Sequence, residues 1–268
     1  EIEYPLPSEE NIAANITGAY LLGYDIITIK GKSTISVKDR EVIRESMRRL
    51  VGMEILDEDA SNVNGQFLLD ETSLNPEKIF KRMSSIALGM FNETLSALRT
   101  GDKTNLQTIP NRDDEINRQY FLLVRFIRST MVDRRLAGIF NLENIDILDY
   151  RIAGNILETA GDTIVDLSRS ISETPLSTSD QKKIYDIAKD IETIQKKSID
   201  AFITNNRSLA IEAIKLHGQH QSKISKTRSS LEHKKQTPIA FLDLIYIFEK
   251  IAQSWSDISD LVQPTYRK

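Results

Sequence analysis

The chain has 268 residues, of which 40% are hydrophobic and 28% are charged, and this balance excludes wholesale disorder. It contains no cysteine, which excludes a disulfide scaffold, a cysteine-ligated zinc site and thiol catalysis. Its net charge of -4 argues against a chain that binds polyanions over its whole surface.

The first 72 residues are predicted to form a small α/β segment. Residues 24–30 are rich in β-branched side chains and are typical of a strand, with a helical pattern on either side. Residues 53–56 and 66–69 are predicted to be two further strands. Because asparagine and glycine favour turns, we expect the turn between these strands at residues 62–65.

From residue 75 onward the sequence shows helical periodicity and no strand signal. Six long helices are predicted, each opened by a capping residue or by a proline, which the first turn of a helix tolerates. They begin near Pro76, Asn111, Glu143, Ser179, Ser208 and Pro238. Long helices joined by short connections are typical of helical bundles.

The helical region contains an internal repeat. Residues 78–86 align with 183–191, and residues 157–168 align with 248–259, in the same order along the chain. This order predicts two tandem three-helix bundles and therefore a mainly α fold. The predicted domains are the small α/β segment at 1–72, a first bundle at 75–172 and a second bundle at 178–263.

A row of carboxylates lies on the helix predicted to begin near residue 143. Glu158, Asp162 and Asp166 are spaced four residues apart, which places them on one stripe of the helix. Like charges at this spacing repel each other, so the row attracts either Lys and Arg side chains or a hard metal ion with oxygen ligands. On spacing alone, a solvated acidic face is the more common explanation.

The second half carries a similar acidic row and a basic, histidine-containing helix. Glu249, Asp257 and Asp260 repeat the pattern with a gap. His217 and His220 have the spacing for joint metal binding, but no carboxylate flanks them, so exposed histidines are the preferred interpretation. The basic side chains of that helix either form a solvated face or dock an acidic partner: Lys215, Lys223, Lys226 and Arg228.

Two short motifs lie on predicted helices of the first bundle: Glu158-Thr-Ala-Gly-Asp162 and Asp113-Asp-Glu-Ile-Asn117-Arg. With the tandem bundles, they resemble the PhoU family of phosphate-uptake regulators, which carries a Glu-Arg-Ile-Gly-Asp motif and a partner motif on the second helix. Residues 1–72 resemble a segment of archaeal members that follows an AbrB-like DNA-binding domain. The chain begins at Glu1 without a methionine, so the resemblance implies that such a domain lies upstream.

The resemblance also implies a divalent metal, namely Mg, Mn, Fe or Zn, held by acidic residues on paired helices. The ligands that it implies are Asp113, Asn117, Glu158, Asp162 and Asp166 in the first bundle and Glu249 and Asp257 in the second. The aspartate of the family motif is replaced by Asn117 in the second helix and by Gln253 in the last. Both replacements remove a charge, and the second bundle departs further from the family pattern.

The function implied is that of a non-enzymatic regulator. Motifs for nucleotide binding and for serine nucleophiles are missing, as are the Glu-x-x-His pairs of a di-metal oxidase. By resemblance, the protein is a homodimer that acts on the ATPase subunit of a phosphate transporter, on another regulatory protein, or on transcription through DNA bound by the upstream domain. Two alternatives stay open: a dimerisation scaffold for that domain, and a metal-dependent enzyme on the carboxylate row.

A cytoplasmic location without membrane insertion is expected. No apolar run approaches the roughly 20 residues that a membrane span requires. The longest, residues 239–248, is interrupted by Asp243. The chain also does not begin with a basic and then apolar leader.

Overall fold

The structure is a computed structural model that describes residues 1–232 and 239–262. Its strands are β1 (Ile2–Tyr4), β2 (Ile26–Gly31), β3 (Met53–Glu58) and β4 (Asn62–Phe67). Its helices are α1 (Ile12–Leu21), α2 (Val37–Arg48), α3 (Pro76–Thr100), α4 (Ile109–Val132), α5 (Arg134–Ile139), α6 (Asn144–Glu173), α7 (Thr178–Ala188), α8 (Ile191–Thr204), α9 (Arg207–Glu232) and α10 (Ile239–Asp260). The predicted fold class, mainly α with a small N-terminal α/β segment, is confirmed.

The chain folds into two compact units. The first unit consists of Glu1–Phe80 and Arg118–Arg151, and the second of Lys81–Asn117 and the described residues from Ile152 onward. The predicted domains follow continuous sequence segments, and their boundaries stay a prediction. No helix of the described residues is long and apolar enough to cross a membrane.

The first unit contains a four-stranded sheet in the order β1-β2-β4-β3. The turn between β3 and β4 was predicted at residues 62–65, and this prediction is wrong. The chain turns earlier, where the carboxylate of Asp59 accepts a hydrogen bond from the backbone N–H of Ser61 at 2.7 Å. Gly65 lies inside β4, where a Cβ atom would come within 2.7 Å of the sulfur of Met47. The glycine therefore permits close packing and does not form a turn.

A buried arginine on α4 lies at the centre of the first unit. The Arg125 side chain is fully buried, and its guanidinium carbon lies 3.8 Å from the centre of the Phe67 ring. Its N–H groups donate to the carbonyl oxygens of Tyr20 at 3.2 Å and Tyr24 at 2.9 Å, and to the carboxylate of Asp25. One side chain of α4 thus satisfies backbone acceptors at and just beyond the end of α1.

In the second unit, α8, α9 and α10 pack against one another. The single long helix predicted to begin near Ser179 is two helices, α7 and α8. Lys223 of α9 donates to the carbonyl oxygen of Asp186 and pairs with the carboxylate of Asp190 at 3.0 Å. This lysine enters the backbone hydrogen-bond ladder at the break, and an inserted side chain is a known cause of such interruptions.

Candidate functional site

The best-formed group of predicted site residues lies where α4 and α6 face each other in the second unit. Asp113 of α4 is 7% exposed, and its carboxyl group is within hydrogen-bonding reach of Asp162 on α6. Gly161 makes this approach possible, because a Cβ atom there would lie 2.7 Å from Asp113 Oδ1. The glycine of the Glu158-Thr-Ala-Gly-Asp162 motif therefore has a steric role beside the acidic pair.

Electrostatic repulsion and burial both act on Asp113. Its pKa is raised to about 7, first by burial and then by the charges of Asp162, Glu158 and Asp114. Oδ2 accepts a hydrogen bond from the side-chain amide of Asn117 at 3.3 Å. Oδ1 is buried and has no hydrogen-bond partner among the described residues. A proton shared with Asp162, or a cation, would satisfy this oxygen.

The acidic pair opens onto a cavity of about 370 Å³. Its lining includes the carboxylates of Asp114 and Asp166 and one cation, Arg169. Arg169 Nη1 lies 3.4 Å from Asp166 Oδ1, and both side chains are largely exposed. An ion pair between exposed side chains is screened by water and contributes little to stability. The cavity therefore keeps its acidic character.

The donor set suits a hard cation only in part. Within residues 1–232 and 239–262, no group of three or more His, Asp or Glu side chains is arranged to hold one metal ion. Two carboxylates, Asp113 and Asp162, are within reach of each other, and one of their oxygens is unpartnered. This fits an ion such as Mg²⁺, which keeps several waters and binds through one or two carboxylates. The protein would then supply two ligands, and water the remainder.

The acidic residues predicted in the second bundle have other neighbours. Glu249 accepts a hydrogen bond from Arg228 at 2.6 Å, and Asp257 accepts one from the side-chain amide of Gln253 at 2.6 Å. Glu249 and Asp257, which are both on α10, act electrostatically on His217 of α9. The structure therefore groups them with a histidine and an arginine, and not with Asp113 and Asp162.

The histidines of α9 were expected to be exposed, and this expectation is wrong. His217 is 6% exposed and His220 is 1% exposed. Burial lowers the pKa of His220 to about 4, and both of its ring nitrogens are without a hydrogen-bond partner in the described part of the chain. The sequence does carry a signal for burial, because Ala213 and Ile224 continue the same face at intervals of four residues.

The four basic side chains of α9 that the sequence analysis singled out divide into two groups. Lys223 and Arg228 are engaged within the unit, with Asp190 and Glu249 respectively. Lys215 and Lys226 are exposed. Of these four side chains, only Lys215 and Lys226 are therefore available to an acidic partner.

Comparison with known proteins places this geometry in context. Residues 80–171 match the family model of the PhoU domain. No curated protein sequence matches the chain. The matched region contains the whole α4–α6 acidic cluster, from Asp113 to Asp166.

Two solved structures share the fold. The phosphate transport system regulatory protein PhoU from Streptococcus pneumoniae superposes with a TM-score of 0.57 and 18% identity, over 70% of this chain and 91% of that one. PhoU from Pseudomonas aeruginosa gives a TM-score of 0.56 and 16% identity, over 70% of this chain and 93% of that one. At these identities the likeness shows the fold, and with the domain match it supports the resemblance to the PhoU family.

Proposed function

We propose that this protein regulates phosphate uptake or phosphate homeostasis without being an enzyme. The observation that carries the proposal is that the PhoU-domain match over residues 80–171 contains the buried Asp113 and its partner Asp162. One of the structures with the same fold is described as a phosphate transport system regulatory protein. A buried carboxyl oxygen without a hydrogen-bond partner, as Oδ1 of Asp113 is among the described residues, is costly to keep unless it serves a purpose.

The proposed role of the acidic cluster is to bind a divalent cation, Mg²⁺ or Mn²⁺ before Fe or Zn. Asp113 and Asp162 would be the direct ligands, and Glu158 adds negative charge beside them. A bound cation would supply positive charge that a partner or phosphate oxygen recognises. Asn117 would hold Oδ2 of Asp113 in place, since it already donates to that oxygen.

Metal binding is the first testable consequence. We expect wild-type protein, freed of metal with EDTA, to bind Mn²⁺ in isothermal titration calorimetry, because the cation relieves repulsion between Asp113 and Asp162. The double variant Glu158→Ala/Asp162→Ala should lose this binding. The matched control is Glu249→Ala/Asp257→Ala, whose side chains already have partners, and it should bind as the wild type does. Equal binding by both double variants would place any metal elsewhere.

The physiological role has its own test. A host strain that lacks the gene should show altered phosphate uptake and altered phosphate-responsive transcription. The wild-type gene should restore both, and the Glu158→Ala/Asp162→Ala variant should not. Phosphate responses unchanged by the deletion would contradict the proposed function, whatever the metal result.

The partners belong to the same proposal. We propose a homodimer that acts on the ATPase subunit of a phosphate transporter or on another regulatory protein in the cytoplasm. DNA would be bound only by an AbrB-like domain encoded upstream of Glu1, and the reading frame of the full gene tests this directly. Pull-down with the transporter subunit, compared between wild type and Glu158→Ala/Asp162→Ala, tests whether the acidic cluster is the contact surface.

The alternative of a metal-dependent enzyme makes a different prediction. An enzyme on the carboxylate row would turn over a substrate such as a phosphate ester when Mn²⁺ is added. The proposal expects metal binding without turnover. Multiple turnovers lost in Glu158→Ala/Asp162→Ala would favour the enzyme.

A further inference from the structure

A second cavity, of about 350 Å³, lies within the first unit beside the end of α4, α5 and the start of α6. Its volume is in the range of small-molecule sites. The walls are mostly apolar and are formed by Ile127, Met131, Ala137, Ile147 and Leu148. Met131 and Leu148 are 72% and 52% exposed, so large apolar side chains at this cavity are left uncovered.

The charged groups of the cavity are cationic, and Thr130 and Asn144 add uncharged polar groups to its lining. Arg134 and Arg151 both line it, and no Asp or Glu among the residues that the structure describes does. Arg151 is held in place, because its Nη1 donates to the hydroxyl of Tyr120 at 2.6 Å and its guanidinium lies 5.3 Å from the centre of that ring. Arg134 has no ion-pair partner within the described residues, whereas the neighbouring Arg135 pairs with Asp133 at 2.7 Å.

An apolar cavity with two guanidinium groups and no carboxylate is complementary to a molecule with an apolar body and one anionic head. Arg recognises carboxylate and phosphate oxygens through its forked N–H groups. Burial of the body against the apolar walls would supply affinity, and the arginines would fix the orientation. We propose that this cavity binds an amphiphilic organic anion, with an aliphatic or aromatic body and a carboxylate or phosphate head.

The protein carries a suitable reporter for this site. It has five methionines, of which only Met131 lines the cavity. The other four are 0–3% exposed in the cores: Met47, Met53, Met83 and Met90. In protein labelled with ¹³C at the methionine methyl groups, titration with decanoate below its micellar concentration should shift the Met131 signal saturably. The other four signals should hold their positions.

Three probes and three variants decide the proposal. Decanoate carries the carboxylate head and decyl phosphate carries the phosphate head, so the two probes show which head binds more tightly. Decanol has no charge, and its affinity should be at least about tenfold lower than that of the tighter-binding anion. Arg134→Gln should weaken binding of that anion about tenfold, and the exposed neighbour Arg135→Gln should leave it unchanged. Ala137→Phe, which fills the cavity, should abolish the shift.

Three results would overturn the proposal. The first is a Met131 signal that does not respond to either anion. The second is equal binding of decanol and the anions, which would make the cavity an apolar contact surface without a role for charge. The third is equal weakening by Arg134→Gln and Arg135→Gln. Because Arg134 is exposed, its substitution leaves the fold intact and keeps the test decisive.

Discussion

Replacing Arg125 by methionine should destabilise the first unit by roughly 3 kcal/mol. Methionine fills a similar volume but donates no hydrogen bonds, so the carbonyl oxygens of Tyr20 and Tyr24 lose the donor that they share. The stacking of the guanidinium on Phe67 is lost as well. Arg125→Lys should rescue little, because an ammonium group does not reproduce the planar fork.

Hydrogen exchange measures this effect within the unit. Amides of β2 and β4 should exchange roughly a hundredfold faster in Arg125→Met, as expected for about 3 kcal/mol. The matched control is Arg128→Met, one turn later on α4. Arg128 is exposed and donates to the carbonyl oxygen of Leu21 at 3.0 Å, so its loss should cost less than about 1 kcal/mol. Similar exchange rates in the two variants would show that Arg125 does not hold this unit together.

Local periodicity and capping predicted most of the fold. Helices such as α3, α4 and α6 begin within a few residues of the predicted starts, because prolines, capping residues and apolar spacing act over one or two turns. β1 was not predicted, since a strand of three residues has too few positions to show alternation. The prediction of a turn at residues 62–65 was wrong because Gly65 makes room for the side chain of Met47. That residue lies far away in sequence, so the contact leaves no local signal.

The candidate site was predictable as a group of residues but not as an electrostatic environment. Four-residue spacing predicts that Glu158 and Asp162 share a stripe, and the family resemblance supplied Asp113 as their partner. The burial of Asp113 depends on how α4 and α6 pack, which spacing does not reveal. Arg125 did carry a signal, because it interrupts the apolar run at residues 121–127, and a charge in such a run indicates a buried, partnered side chain.

Asp113 is predicted to make the metal-free protein less stable as the pH rises. The unfolded chain releases this proton near the ordinary value of 3.8, whereas the folded protein retains it until about pH 7. Between these two values the unfolded state is favoured progressively, and the full penalty is present above pH 7. For a shift of this size, the penalty is on the order of 4 kcal/mol. Its causes are burial and the charges of Asp162 and Glu158.

Asp113→Asn should therefore stabilise the metal-free protein at pH 8 by up to about 4 kcal/mol and change little at pH 4. Urea unfolding in EDTA across this pH range measures it. The control is Asp114→Asn, an exposed neighbour whose charge is only a minor contributor to the pKa of Asp113. Added Mn²⁺ should stabilise the wild type and not Asp113→Asn, because the same repulsion that weakens the empty site is what a cation relieves. If the stability of the wild type relative to Asp113→Asn does not change between pH 4 and 8, the pKa of Asp113 is not raised in the folded protein. The site would then have no repulsion for a cation to relieve.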